Sequence, residues 1–169
     1  CGVASSDHIN IAFKKAHQVD TKSAFGCVIA LNQRFTRQIA DYILQKEIFV
    51  EVIAAPSYES IALKKLQQKP NIRILQLGPL HRAKKRRDVK TVAGGILVQN
   101  YDTCQVTAPD CKVVTKNKPT SRQIKDLLFS RIVVKHVKSN AVVFAKHQVV
   151  TGIGSGQTSR VDSVFIARH

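Results

Sequence analysis

The chain contains 169 residues, a length that suits one domain or a large part of one. Hydrophobic residues make up 44% of it, which is enough to bury a core and argues against intrinsic disorder. No apolar run is long enough to cross a bilayer, and the formal net charge of +16 leaves two classes of partner, nucleic acid and small anionic substrates.

The first half of the chain alternates helical and strand patterns. Apolar residues recur at helical spacing, while short continuous apolar runs are typical of strands buried on both faces. Pro56 ends one such strand, and Pro70 ends a helix. The sequence predicts helices at 9–19, 36–46 and 59–68 and strands at 27–31, 49–55 and 72–77.

The second half continues the alternation with less regular spacing. Gly94-Gly95 predicts a bend, and Thr120 with Gln123 forms a capping-box pattern that opens a long helix. Further elements are predicted as strands at 96–98, 113–114, 141–145 and 149–153 and helices at 120–135 and from 159 onward. Alternating strands and helices indicate an α/β fold, and the hairpin near the end makes its sheet mixed. We see no domain boundary, so residues 1–169 form one domain or part of one.

The cysteines and the basic run carry less specific signals. The four cysteines form no CxxC pair and complete no zinc pattern, so we expect reduced thiols in a cytosolic protein and no metal. A basic cluster at 81–87 is either a solvated loop, where an insertion would be tolerated, or a nucleic-acid patch. No aromatic residues are interleaved with this cluster, so a stacking platform for single strands is not evident.

A glycine-rich segment at 152–160 connects a predicted strand to a predicted helix. Its glycines allow close backbone approach to a ligand, and the N–H groups at the start of a helix favour anions or a developing oxyanion. Arg160 adds a planar cation in the first turn. The spacing matches neither a dinucleotide fingerprint nor a P-loop, and a plain strand–turn–helix link is the alternative interpretation.

Four other residues are candidates for ligand contacts. Asn140 precedes an apolar strand, where its amide would suit recognition of a carboxamide or would simply satisfy a turn. Gly26 would let a flat ligand lie against the backbone and Phe25 would stack on it, although a strand-entry turn explains both. Glu51 interrupts an apolar strand, so its carboxylate belongs at a sheet end or in a site.

Together these segments resemble the aminoimidazole-carboxamide ribonucleotide (AICAR) formyltransferase region of the bifunctional purine-biosynthesis enzymes. The resemblance follows the family's order and spacing and covers essentially the whole chain. The runs that carry it are Cys1-Gly-Val-Ala4, Ser23-Ala-Phe-Gly26, Ile29-Ala30, Phe49-Val-Glu-Val-Ile53, Ala55-Pro56, Gly94-Gly95, Leu97-Val-Gln99, Val113-Val-Thr-Lys116, Val134-Lys-His-Val-Lys-Ser-Asn-Ala141, Gly152-Ile-Gly154 and Ser159-Arg-Val161.

The resemblance implies a role for each candidate residue. Asn140 looks like the family's carboxamide-binding and proton-handling asparagine, and Arg160 looks like its active-site arginine. Gly26 and Glu51 fall where the family touches the nucleotide, while Phe25 and Val161 fall on the folate side. The implied reaction takes AICAR and 10-formyltetrahydrofolate as substrates, in a cytosolic homodimer with sites at the subunit interface. The implied fold is similar to the cytidine-deaminase-like layered sandwich, without zinc.

The chain also departs from the family pattern. The family's catalytic Lys-His pair stands before the run that matches Cys1-Gly-Val-Ala4, and Lys135-His136 aligns elsewhere and is not assigned that role. Its Phe-Pro-Phe segment, its Arg/His-rich C-terminus and its cyclohydrolase domain are not among residues 1–169. We therefore expect an internal fragment of a longer enzyme that is catalytically silent alone. A basic nucleic-acid-binding protein, whose binding falls with salt, is the alternative.

Overall fold

The computed structural model describes residues 1–81 and 87–168. The described residues form an α/β structure in which no helix is long and apolar enough to span a membrane. The helices are α1 (Ile9–Val19), α2 (Arg37–Gln45), α3 (Ser60–Leu66), α4 (Ser121–Val134) and α5 (Arg160–Arg168), with a 3₁₀ turn at Ala108–Asp110. The strands are β1 (Cys27–Ala30), β2 (Val50–Ala55), β3 (Arg73–Gln76), β4 (Arg87–Val92), β5 (Gly95–Asn100), β6 (Val142–Lys146) and β7 (Val149–Gly154).

A three-stranded parallel sheet, ordered β1-β2-β3, organises the first half of the chain. In β2, Val50, Ile53 and Ala55 are buried, as the apolar run predicts. In β1, Ile29 is buried but Val28 is 68% exposed. The prediction that β1 is covered on both faces was therefore wrong, because the packed helices shield only one side of that strand in the described part of the chain.

The main hydrophobic core lies between this sheet and the helices α1, α2 and α3. Thr36 caps α2 by accepting the N–H of Ile39, so the predicted helix start is confirmed. Tyr58 follows β2 and donates its hydroxyl to the carbonyl oxygens of Ile53 and Leu75, at 2.8 and 3.0 Å. Tyr58 thereby bridges β2 and β3 from within the core. The fully buried large side chains here are Phe35, Ile39, Ile43, Ile53 and Leu66.

A second layer is built from the β6–β7 hairpin with α4 and α5 packed on it. The predicted capping box of Thr120 and Gln123 opens α4. The hairpin turns at His147 and Gln148, both with φ of 55°, as two-residue hairpin turns of the primed type require. The N-terminal residues extend this layer, since Val150 donates its backbone N–H to the carbonyl of Val3 at 2.9 Å.

Strands β4 and β5 form a separate hairpin around Gly94, whose φ of 80° suits glycine. The bend and β5 confirm the prediction, whereas β4 was not predicted. The predicted strand at 113–114 was wrong, because the described residues offer it no pairing partner. Most of the basic run, residues 82–86, lies outside the described part of the chain.

The α/β class is confirmed, with both parallel and antiparallel strands. Among the described residues, however, these strands belong to three separate sheets and not to the single mixed sheet that we expected. The mixed sheet was inferred from strand order alone, which does not reveal which strands exchange hydrogen bonds. The cytidine-deaminase-like arrangement stays a prediction.

Candidate functional site

The glycine-rich segment forms the predicted link between a strand and a helix. Strand β7 ends at Gly154 and α5 begins at Arg160. Gly156 adopts a φ of 67° and donates its N–H to the carbonyl of Lys138 at 2.8 Å, which ties the turn to the segment before β6. The Ser159 hydroxyl accepts the N–H of Val161 at 3.2 Å, so the start of α5 is capped by a side chain.

Asn140 lies directly against this turn. Its side-chain amide donates to the carbonyl oxygens of Gln157 and Thr158, at 3.0 and 2.9 Å. Its backbone N–H also donates to the carbonyl of Gln157, at 3.1 Å. The two sequence elements on which the enzymatic interpretation depends therefore converge in one place.

These contacts change the chemistry expected of Asn140. The sequence predicted an amide that both donates to and accepts from a carboxamide. Both amide hydrogens are instead engaged by the turn, so the side-chain oxygen is the group that remains for a ligand. The turn interpretation of Asn140 is therefore confirmed for its amide hydrogens, and the ligand interpretation, which stays a prediction, concerns only its side-chain oxygen.

Arg160 and Val161 stand at the exposed start of α5, two and three residues beyond Thr158. Within the part of the chain that the structure describes, the guanidinium of Arg160 forms no ion pair or hydrogen bond with another residue. Val161 is 59% exposed. A cation and an apolar side chain therefore follow directly after the turn to which Asn140 is bound.

Phe25, Gly26 and Glu51 form a second group at the amino end of the parallel sheet. Gly26 has a φ of 69° and donates its N–H to the carbonyl of Phe49 at 3.0 Å. A Cβ placed on Gly26 would lie 3.4 Å from a carboxylate oxygen of Glu51, so the two residues are neighbours. Glu51 is exposed near the start of β2, which confirms the sheet-end position expected for its carboxylate.

An aromatic pair borders this second group. Phe25 is 79% exposed, and its ring centroid lies 4.8 Å from that of Phe49. Sequence reasoning missed Phe49, because its contact with Phe25 depends on the pairing of β1 with β2. The thiol of Cys27 lies beside the same strand end, and burial raises its pKa, so this thiol stays protonated at neutral pH.

Within the described part of one chain, the structure shows no polar or ring contact between this second group and the first group, which consists of Asn140, Arg160 and Val161. No hydrogen bond, ion pair or ring contact between described residues links Phe25, Gly26 or Glu51 with Asn140 or Arg160. No cluster of three or more metal-ligating side chains occurs among residues 1–81 and 87–168. The four cysteines are free thiols.

The Lys135-His136 pair lies outside both groups. The ammonium group of Lys135 contacts the carboxylate of Asp102 at 3.5 Å and stands 5.8 Å from the centre of the Tyr101 ring. Lys135 therefore anchors the loop at 101–102 to the end of α4. Because Lys135 has this structural role, we assign no catalytic role to the Lys135-His136 pair.

The comparisons with known proteins agree on one family. The chain matches the AICARFT/IMPCHase bienzyme family over residues 1–169. It is 46% identical to the bifunctional purine biosynthesis protein PurH of Acetivibrio thermocellus over 169 residues, which are 99% of this chain and 32% of that protein. It is 42% identical to PurH of Oceanobacillus iheyensis over 167 residues, 99% of this chain and 32% of the relative.

PurH of Caldicellulosiruptor saccharolyticus is 45% identical over 164 residues, which cover 97% of this chain and 31% of that protein. The chain thus spans about a third of the length of the relatives it matches, as expected for an internal fragment. The match over all 169 residues, together with these identities, shows that the chain belongs to the AICARFT/IMPCHase bienzyme family.

Proposed function

We propose that this chain is part of a formyltransferase that moves the formyl group of 10-formyltetrahydrofolate to the 5-amino group of AICAR. We further propose that the longer protein also has IMP cyclohydrolase activity and works in purine biosynthesis in the cytosol. The observation that carries the proposal is the convergence of Asn140 with the turn that opens α5 and presents Arg160.

The reaction sets two requirements, and the residues of this chain would meet the second. The amine of AICAR is a poor nucleophile because its lone pair is drawn toward the carboxamide, so a proton must leave and an oxyanion must be stabilised. The acceptor oxygen of Asn140 would hold the carboxamide N–H group. Arg160 and the free N–H groups at the start of α5 would hold the developing negative charge.

The proposal also needs a base that removes the proton from the amine, and it assigns roles to Phe25, Gly26 and Glu51. The base would be the histidine of the Lys-His pair that the resembled family carries ahead of its Pro-Cys-Gly-Val-Ala-like run. Gly26 and Glu51 would contact the nucleotide, and Phe25 with Val161 would contact the folate. A homodimer with sites at the subunit interface would let the two groups meet across subunits, which accounts for their separation within one chain.

The test is the Arg160→Ala variant of the longer protein. We expect formyl transfer to slow by about 10²–10³-fold, because one stabiliser of the oxyanion is removed. Release of tetrahydrofolate at saturating substrate gives kcat directly. Arg168→Ala, at the opposite end of the same helix, is the matched control and should keep turnover close to that of the parent protein. Undiminished turnover in Arg160→Ala would refute the assigned role.

A further inference from the structure

Ser163 is a fully buried polar residue in the second turn of α5. Its hydroxyl lies 3.0 Å from the carbonyl oxygen of Asn140 and 3.4 Å from that of Ser159, and it donates to the nearer oxygen. A buried hydroxyl is costly unless it forms a hydrogen bond, so this contact is a fixed part of the fold. The bond joins α5 directly to the peptide that carries the candidate site asparagine.

The packing around Ser163 leaves little room for this contact to change. A Cβ placed on Gly154 would lie 1.9 Å from the carbonyl oxygen of Ser163, so the backbones of β7 and α5 touch at this point. The serine is therefore held at a fixed distance from the segment before β6. Its hydroxyl acts as a rigid donor and not as an adjustable surface group.

Asn140 is consequently anchored through both its backbone and its side chain. Ser163 binds the carbonyl oxygen, and the carbonyl of Gln157 accepts the backbone N–H. The side-chain hydrogens go to the carbonyl oxygens of Gln157 and Thr158. With these bonds in place, the direction of the remaining side-chain oxygen is set by the protein before any ligand arrives.

We infer that Ser163 is a positioning residue, which fixes the Asn140 peptide so that the side-chain oxygen of Asn140 faces the substrate carboxamide. This inference rests on the proposed function, in which Asn140 contacts AICAR. Ser163 itself touches no reacting atom. It acts only through Asn140, and this distinguishes it from a residue that merely stabilises α5.

The first measurement compares kcat/KM for AICAR among variants of the longer protein. Ser163→Ala should lower it by about 3–10-fold, as expected for one lost hydrogen bond. Ser163→Cys keeps a weak donor of similar shape and should give an intermediate value. Ser130→Ala is the matched control, since Ser130 also donates to a helix carbonyl, that of Asp126 at 2.8 Å, but does not contact Asn140. It should leave kcat/KM unchanged.

A double-mutant cycle separates positioning from general stability. In an Asn140→Ala background the carbonyl that binds Ser163 remains but the side-chain oxygen is gone. Ser163→Ala should then change kcat/KM by less than about 2-fold. If turnover of Asn140→Ala is too slow to measure, the effect of Ser163→Ala in the two backgrounds is compared through the dissociation constant for AICAR, which calorimetry gives. An equal loss in both backgrounds, or no loss in either, would overturn the inference.

The outcome for Asn140 alone distinguishes the two proposals. If Asn140→Ala binds and formylates AICAR as well as the parent protein does, the proposed role of Asn140 fails and the inference fails with it. If Asn140→Ala is impaired and Ser163→Ala is not, the proposed function stands and the positioning role of Ser163 is wrong.

Discussion

The amide of Asn140 has two hydrogens, and both are donated to carbonyl oxygens of the turn before α5. Gln157 and Thr158 precede the first residue of α5, so their carbonyl groups lie outside the helical hydrogen-bond pattern, and a side chain supplies the donors here. The same bonds orient the acceptor oxygen. Asn140 therefore closes the turn, and substitutions at this position will disturb the turn as well as the proposed contact with the ligand.

Asp126 stabilises a second turn, also by side-chain hydrogen bonds to backbone groups. Its carboxylate accepts the backbone N–H groups of Gln148 and His147, at 2.7 and 3.0 Å, and so connects α4 to the tip of the β6–β7 hairpin. The hydrogen bond from Gln148, followed by that from His147, lowers the pKa of Asp126 below its ordinary value of 3.8.

The lowered pKa predicts a pH-dependent contribution to stability. A carboxylate whose folded-state pKa is depressed stabilises the fold above its ordinary pKa, and this stabilisation is lost as the pH falls through the lowered value. Asp126→Asn should therefore melt a few degrees below the parent protein near neutral pH. The difference should narrow as the pH falls below the ordinary value of 3.8 and through the lowered pKa of Asp126.

Thermal unfolding over this pH range tests the prediction. Asp7→Asn is the control, because Asp7 is exposed and its carboxylate accepts no hydrogen bond from the described residues. A melting difference for Asp126→Asn that stays constant down to the acid end would show that charge on Asp126 is not the cause.

At the scale of elements, the contact of α5 with β7 depends on two glycines. A Cβ on Gly152 would lie 1.7 Å from the carbonyl oxygen of Ala167, and one on Gly154 would lie 1.9 Å from that of Ser163. Both neighbours are backbone atoms, which cannot move aside without shifting the helix. The turn that carries Arg160 is thus held by direct contact between backbones.

Replacing either glycine should therefore destabilise the protein. We expect Gly152→Ala and Gly154→Ala to lower the free energy of unfolding by about 1–3 kcal/mol through overpacking. Gly95→Ala is the control, since a Cβ there meets no atom within 4 Å, and it should change stability by about 0.5 kcal/mol or less. Denaturant unfolding measures all three, and equal stability of Gly154→Ala and Gly95→Ala would contradict the close packing.

The sequence was a good guide to elements with strong periodicity or caps. Residues 9–19 form the predicted helix, and the capping box at Thr120 opens α4 as expected. Strand β4 was missed because its apolar residues, Val89 and Val92, are interrupted by charged and polar ones, and only pairing with β5 makes it a strand. The apolar pair at 113–114 had no such partner.

The candidate site was predictable only in part, for a related reason. The glycine-rich link and the place of Asn140 before β6 follow from local pattern. The bonds from Asn140 to Gln157 and Thr158, and the buried contact with Ser163, join residues that are 17 to 23 positions apart. Such contacts depend on how α5 packs against β7, which no local pattern encodes.

At the scale of the whole molecule, much apolar surface of the described chain is open. Strands β4 and β5 are exposed along their length, and Ile96 and Leu97 are 62% and 61% exposed. A two-stranded hairpin alone is marginally stable in water, and exposed apolar patches commonly mark contacts with other protein surface. This hairpin therefore presents the kind of apolar surface that commonly packs against other protein surface.

Charge is the other property of the whole molecule, with 27 lysines and arginines against 11 carboxylates. The four ion pairs among described residues use only the carboxylates of Asp41, Asp88 and Asp102. Most of the described lysines and arginines therefore form no ion pair, and the excess positive charge can attract any polyanion. This attraction is expected whether the chain serves a small anionic substrate or a nucleic acid, so its response to salt has to be measured.

We predict charge-driven binding to single-stranded DNA without sequence preference. Its affinity should fall by at least about 10²-fold between roughly 50 and 200 mM salt, because counterion release dominates such binding. The uncharged substitution Asn140→Ala should leave DNA binding unchanged and weaken binding of AICAR. Fluorescence anisotropy with labelled oligonucleotides of two sequences, alongside calorimetry with AICAR, measures both. DNA binding that prefers one sequence would favour the nucleic-acid interpretation, since bulk charge alone produces no such preference.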